Sequence, residues 1–118
     1  MGKLNIVLFV ILIQCSSVTR IHYRHCFIDE PTKQVDADNL RFKATSWASP
    51  EIAQDKVEVV AKENVRTCIA RHIAKHQKKK YEGLSPKQEL FYLKKTRFID
   101  EFCHKRTCQA EVNYKSSE

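Results

Sequence analysis

Residues 85–107 read SPKQELFYLKKTRFIDEFCHKRT, and how they fold sets the class of the whole chain. Ser85 stands before Pro86, an N-cap serine before a proline at the first helical position. Gln88 completes a capping-box pattern. Phe91, Phe98 and Phe102 follow on one stripe, widened by Leu90, Leu93 and Ile99. That is the apolar face of an amphipathic helix, so the spacing predicts a helix from Pro86 to Thr107. Upstream, Ser49-Pro50-Glu51 carries the same start signal. Val57, Ala61, Val65, Cys68, Ile69, His72 and His76 recur at three- and four-residue steps, with Ile52, Val59, Val60 and Ile73 broadening the arc. This predicts a second helix from Pro50 to Lys80, closed by a left-handed cap at Gly83. The link YEGLS is short, so the two helices are expected to form an antiparallel hairpin. The chain has only two glycines and three prolines, fewer than a sheet rich in turns would want. The expected fold class is therefore all-α, a small disulfide-stabilised helical domain built on that hairpin. Residues 20–48 are less regular. Within them VDADNLRFKATSWA is expected to form a short helix that packs Leu40, Phe42 and Trp47 over the hairpin.

The chain opens MGKLNIVLFVILIQCSSVT: a basic Lys3, an unbroken apolar run from Ile6 to Ile13, then small residues. This is the layout of a secretory signal peptide, with cleavage expected after Ser17 or Thr19. Residues 1–19 are thus assigned to a signal and 20–118 to a single helical domain, secreted and with no membrane span, since a spanning helix needs about 20 apolar residues. Removing Cys15 leaves Cys26, Cys68, Cys103 and Cys108. Four cysteines in a small exported chain read as two disulfides. Sequence alone leaves three pairings open. The hairpin geometry favours Cys68–Cys103, because their axial mismatch is roughly 7 Å. Cys26–Cys108 then staples the N-terminal segment to the last helix. A Cys103–Cys108 bridge would require the helix to break between them.

Charge is uneven along the chain. Residues 20–61 hold six basic and seven acidic side chains, whereas residues 62–106 hold thirteen basic and five acidic. The excess centres on RHIAKHQKKK, residues 71–80. On a helix Arg71, Lys75, Lys78 and Lys79 share one broad face, and Lys94 and Lys95 add charge from the second helix. These six are the candidate polyanion-binding residues. The bland alternative is a solvated helix end, where cations meet the helix dipole favourably. Tyr81 and Tyr92 lie nearby but make no spaced platform for stacking bases. Outside the cell the anionic partners are sulfated glycans or other macromolecules, and the export signal argues against intracellular nucleic acid.

Chemistry has little support. His72 and His76, at i and i+4, suit two zinc ligands, but position 73 is Ile where a metalloprotease has its Glu. No third ligand lies nearby in sequence; His104 is the one residue the hairpin could bring in. No metal and no cofactor is expected. Asp100 and Glu101 are adjacent rather than facing, and no nucleophile turn or phosphate loop occurs, so no catalytic residue is assigned.

The layout (exported, about 100 residues, helical, two disulfides, basic) resembles in general terms the helical salivary, venom or odorant-carrier-like proteins of arthropods. The spacings Cys26-x41-Cys68-x34-Cys103-x4-Cys108 match neither the six-cysteine odorant-binding pattern nor its four-cysteine variant, and no residue role is carried over. The expected function is a secreted, basic, non-enzymatic binding protein or effector acting on an extracellular protein or sulfated glycan. One alternative is a carrier of a small apolar ligand, its pocket lined by Phe91, Phe98, Phe102, Ile69 and Trp47. Another is a helical signalling ligand for a receptor.

Overall fold

The computed structural model describes residues 18–31 and 39–116. Of the expected signal peptide, 1–19, residues 1–17 with Cys15 lie outside these residues, and Val18 and Thr19 belong to the first strand. Five strands and two helices follow in the order β1 (Val18–Tyr23), β2 (Cys26–Pro31), β3 (Asn39–Trp47), α1 (Val57–His76), α2 (Pro86–Leu93), β4 (Thr96–His104) and β5 (Thr107–Lys115). The strands form one antiparallel sheet in the order β1-β2-β3-β5-β4. Helix α1 lies across one face. The all-α helical hairpin expected from the sequence is therefore overturned, and with it the helical-ligand description.

The long helix is real but shorter than its pattern. Val57, Ala61, Val65, Cys68, Ile69, His72 and Ile73 are all buried, as the stripe requires. They pack on the inward residues of the sheet: Ile28 of β2, Leu40 and Phe42 of β3, and Ala110, Val112 and Tyr114 of β5. Ser46 Oγ donates to the Ala61 carbonyl at 2.6 Å, and Asn64 Nδ2 donates to the Trp47 carbonyl at 2.9 Å. These bonds fasten the first turns of α1 to the end of β3. The Ser49-Pro50 start signal yields only a turn, with the Ile52 N–H bonded to the Ser49 carbonyl, and α1 begins seven residues after Pro50.

At the other end α1 stops at His76 rather than Lys80. Lys78 has φ of 57°, the Lys79 N–H bonds the Ala74 carbonyl, and the Lys78 N–H bonds the Lys75 carbonyl. This is a Schellman closure with lysine at the position glycine usually fills. Gly83 is also left-handed, at φ 63°, but it turns the link and caps no helix. A side chain in the left-handed region costs about 1 kcal/mol. Lys78→Gly is therefore expected to raise stability by about 0.5–1 kcal/mol, read as a higher urea midpoint with an unchanged helical signal.

The predicted second helix divides in two. Its start is as read: Ser85 is the N-cap, its Oγ accepts from the Gln88 N–H at 3.2 Å, and Gln88 Oε1 accepts from the Ser85 N–H at 2.9 Å. After Leu93 the chain turns and enters β4. The inward residues of β4 are Thr96 and Phe98, then Glu101 and Cys103, which pair with Tyr114, Val112, Ala110 and Cys108 of β5. A bulge between Phe98 and Asp100 separates the two sets. One extra residue in a strand breaks its two-residue alternation. It puts Phe98 and Phe102 on opposite faces, although residues four apart share one face of a regular strand. Phe102 is 60% exposed, whereas Phe98 is half-buried beneath the Arg66 guanidinium, 4.8 Å from the ring centre.

The short helix expected around VDADNLRFKATSWA is likewise replaced, over residues 39–47, by β3. Leu40, Phe42, Ala44 and Ser46 alternate inward there, while Asn39, Arg41 and Lys43 face out. Residues 35–38 lie outside the described part.

The cysteines pair differently from the expected Cys68–Cys103 and Cys26–Cys108. Cys26 joins Cys68 (Cα–Cα 6.4 Å), tying the start of β2 to the middle of α1. Cys103 joins Cys108 (Cα–Cα 4.1 Å), directly opposed across the β4–β5 hairpin. The expected pairing assumed that Cys103 sits on a helix running antiparallel to α1; it sits on a strand two residues from a turn. Two disulfides are compatible with an extracellular or secreted protein. No described helix is long and apolar enough to cross a membrane.

Candidate functional site

A single packing event builds the site. The Cys26–Cys68 bridge and the inward face of β2 hold the C-terminal half of α1 against β1 and β2. Tyr23, at the end of β1, then meets His72, which is the fourth residue after Cys68 and is fully buried. The Tyr23 hydroxyl lies 2.8 Å from His72 Nδ1. His72 Nε2 lies 2.8 Å from Glu30 Oε2, on β2. One helical turn further, His76 Nε2 approaches the same Glu30 oxygen at 3.4 Å. Phe42 closes over the His72 ring edge-on at 4.8 Å.

The protonation states follow from burial and neighbours. Burial pulls His72 below the ordinary histidine range, and the hydrogen bond and charge of Glu30 offset this only in part. Burial pushes the Glu30 carboxyl up, but the hydrogen bond and charge of His72 and the nearness of His76 outweigh it, leaving Glu30 below the usual carboxylate range. Tyr23 is raised well above the ordinary phenol range, by burial first and then by Glu30 and Tyr81. At neutral pH the chain of bonds is thus a tyrosine hydroxyl donating to Nδ1 of a neutral imidazole, whose Nε2–H donates to a carboxylate.

Above this buried relay opens a cleft of about 540 Å³, lined by His22, Tyr23, Arg24, Arg71, Lys75, Tyr81, Glu82 and Gly83. Three cations face one carboxylate. Lys75 Nζ sits between two rings, 5.6 Å from the centre of Tyr23 and 5.7 Å from that of Tyr81. Arg71 Nε is sealed from solvent and has no hydrogen-bond partner among the described residues. A smaller adjoining cleft of about 280 Å³ is lined by Ile21, His72, Lys75, His76 and Lys78.

Of the six candidate polyanion residues, Arg71 and Lys75 share the larger cleft, and Lys78 joins Lys75 in the smaller one. Lys79 follows in the closing turn of α1 and lines neither. Lys94 and Lys95 are elsewhere, in a cleft of about 300 Å³ with Thr96, Arg97, Asn113 and Lys115, by the opposite edge strand β4. Lys95 Nζ donates to the Ser116 carbonyl there and lies 4.7 Å from the Phe91 ring centre. Of the two nearby tyrosines, Tyr81 reaches the site and Tyr92 is buried in the core. His104 stacks on Phe102 at the hairpin end of the sheet, and the carboxylate that meets His72 and His76 is Glu30 instead. The carrier-pocket residues do not gather: Phe91 and Phe102 are exposed, Ile69 is buried in the core, and Trp47 packs beside Phe27.

Sequence reasoning missed Tyr23, Arg24 and Glu30. One signal was present: RIHYRH, residues 20–25, is basic and aromatic in five of six positions. No family model, no curated protein and no solved structure matches the chain.

Proposed function

We propose that this is a secreted, basic, non-enzymatic binding protein whose cleft between the β1–β2 turn and α1 captures the sulfate groups of an extracellular glycan. The single observation that carries the reading is that Arg24, Arg71 and Lys75 line one cleft against a single carboxylate, Glu82. An anionic oxygen entering that cleft would take charge-assisted bonds from these cations. Planar guanidinium donors suit sulfate, and Lys75 adds a point charge. Tyr23 and Tyr81 hold the Lys75 ammonium in place by cation–π contact. Secretion is supported by the two disulfides. A binding role is supported by the chemistry of the candidate groups: all four described cysteines are oxidised, and Tyr23 is held as a neutral hydroxyl, a poor nucleophile.

Heparin chromatography tests this. The unmodified protein is expected to be retained and to elute with salt. Counterion release, developed for nucleic acids, extends to sulfated chains, and each lost contact lowers the slope of log affinity against log salt by about 1. Arg71→Gln with Lys75→Gln is expected to shallow that slope by about 2. Lys94→Gln with Lys95→Gln is expected to change it much less. Equal losses from both pairs would reduce the site to diffuse net charge, and no retention at physiological salt would end the reading.

A further inference from the structure

Glu30, His72 and His76 do more than hold one another. Their donor atoms, one from each residue, lie within 4.8 Å of one another. We infer that these three side chains form a binding site for one divalent transition-metal ion of the zinc type.

The donor set is two imidazoles and one carboxylate, which zinc accepts, leaving a fourth position open. Zinc–ligand bonds of about 2.0–2.2 Å in a tetrahedron place neighbouring donors about 3.3 Å apart. The His76–Glu30 separation of 3.4 Å already has that value. The His72–Glu30 separation of 2.8 Å is that of a hydrogen bond. A metal ion takes the place of the shared proton there, and those two donors open by about half an ångström. As the metal takes Nε2, the Nε2 proton goes to water and Nδ1 takes one up, so His72 changes tautomer. The Tyr23 hydroxyl turns its own proton away from Nδ1, and Nδ1–H donates to the Tyr23 oxygen, 2.8 Å away. An imidazole that binds metal through one nitrogen commonly gives its other N–H to such a partner. His72 is neutral before and after, with no net loss of a proton.

Each ligand comes from a rigid element. His72 and His76 are one helical turn apart on α1, and Glu30 is on β2, which the Cys26–Cys68 bridge ties to that helix. An entry path exists, because His72 and His76 both line the smaller cleft. Lys75 and Lys78 line it too. Their charges oppose a bare dication and favour an anion as the fourth ligand, so this pair limits the affinity.

The test is calorimetric titration of the full secreted chain, stripped with a chelator, using Zn2+ alone. One Zn2+ per chain is expected, with no competition from Mg2+, which prefers oxygen ligands. His76 is partly exposed near the end of α1, so His76→Ala should keep the fold, checked by circular dichroism. It is expected to weaken Zn2+ at least about tenfold, since even an outer-shell change does as much. Glu30→Gln should weaken it similarly. Co2+ should give the intense visible absorption of a four-coordinate ion in the unmodified chain and lose it in His76→Ala. Absence of stoichiometric Zn2+ binding would overturn the site, as would equal binding by the unmodified chain and both variants, which would place the metal on other histidines.

Discussion

Replacing Cys26 and Cys68 together by alanine is expected to lower stability by about 4 kcal/mol. The bridge spans 42 residues of sequence. In the chain-entropy account the loss grows with the loop that the bridge closes. Both cysteines are buried, so alanine keeps a small apolar side chain at each position. The Cys103–Cys108 bridge spans only five residues. Its double alanine variant is expected to lose about 2 kcal/mol, because the β4–β5 register also holds those strands together. Urea denaturation of the two variants and the parent gives the comparison. Equal losses, or a larger loss from Cys103 and Cys108, would contradict the pairing or its role in holding α1 on the sheet.

Ile69→Ala is the second large effect. Ile69 is fully buried, in the middle of the α1 face that meets the sheet. Removing a buried isoleucine side chain beyond Cβ costs about 2–5 kcal/mol, the spread set by how far the cavity collapses. The disulfide one residue away restrains α1 from settling into the space, which favours the upper part of that range. Val59→Ala, on the outer face of the same helix and 59% exposed, is expected to fall within about 0.5 kcal/mol of the parent. Denaturation midpoints check both. Similar small effects would mean that α1 does not present this face to the sheet.

The legible parts of the fold are those where local pattern and tertiary packing agree. The stripe on α1 and the capping box at Ser85 read correctly because both depend on neighbours within four residues. The sheet was hidden for two physical reasons. Its tight turns use no glycine: His25 and Lys105, in the β1–β2 and β4–β5 turns, take left-handed conformations at φ 64° and 54°. The scarcity of glycine, which argued against a sheet, carried no information here. Phe98 and Phe102, four apart, would share one face of either a helix or a regular strand, and the β4 bulge puts them on opposite faces. The aromatic and β-branched content of TRFIDEFC suits a strand equally well, but periodicity alone pointed to a helix.

The site was half legible for the same reason. His72, His76, Arg71 and Lys75 lie on one continuous helix, so their common location follows from spacing. Glu30 and Tyr23 are more than forty residues away in sequence, and only the sheet order and the Cys26–Cys68 bridge bring them in. Lys94 and Lys95 were assigned to the same surface by a hairpin that does not form, and they belong to the opposite edge.

The central claim is that α1 is pinned across the sheet so that its C-terminal half faces β1 and β2. Mass spectrometry of a tryptic digest, thiol-blocked and unreduced, tests it most directly. Cleavage after lysine and arginine isolates each of the four bridged cysteines on its own peptide, because Lys105 and Arg106 separate Cys103 from Cys108. The fold predicts residues 25–33 joined to 67–71, and residues 98–105 joined to 107–115. Residues 67–71 joined to 98–105, the linkage a helical hairpin would make, would contradict the fold and the site built on it.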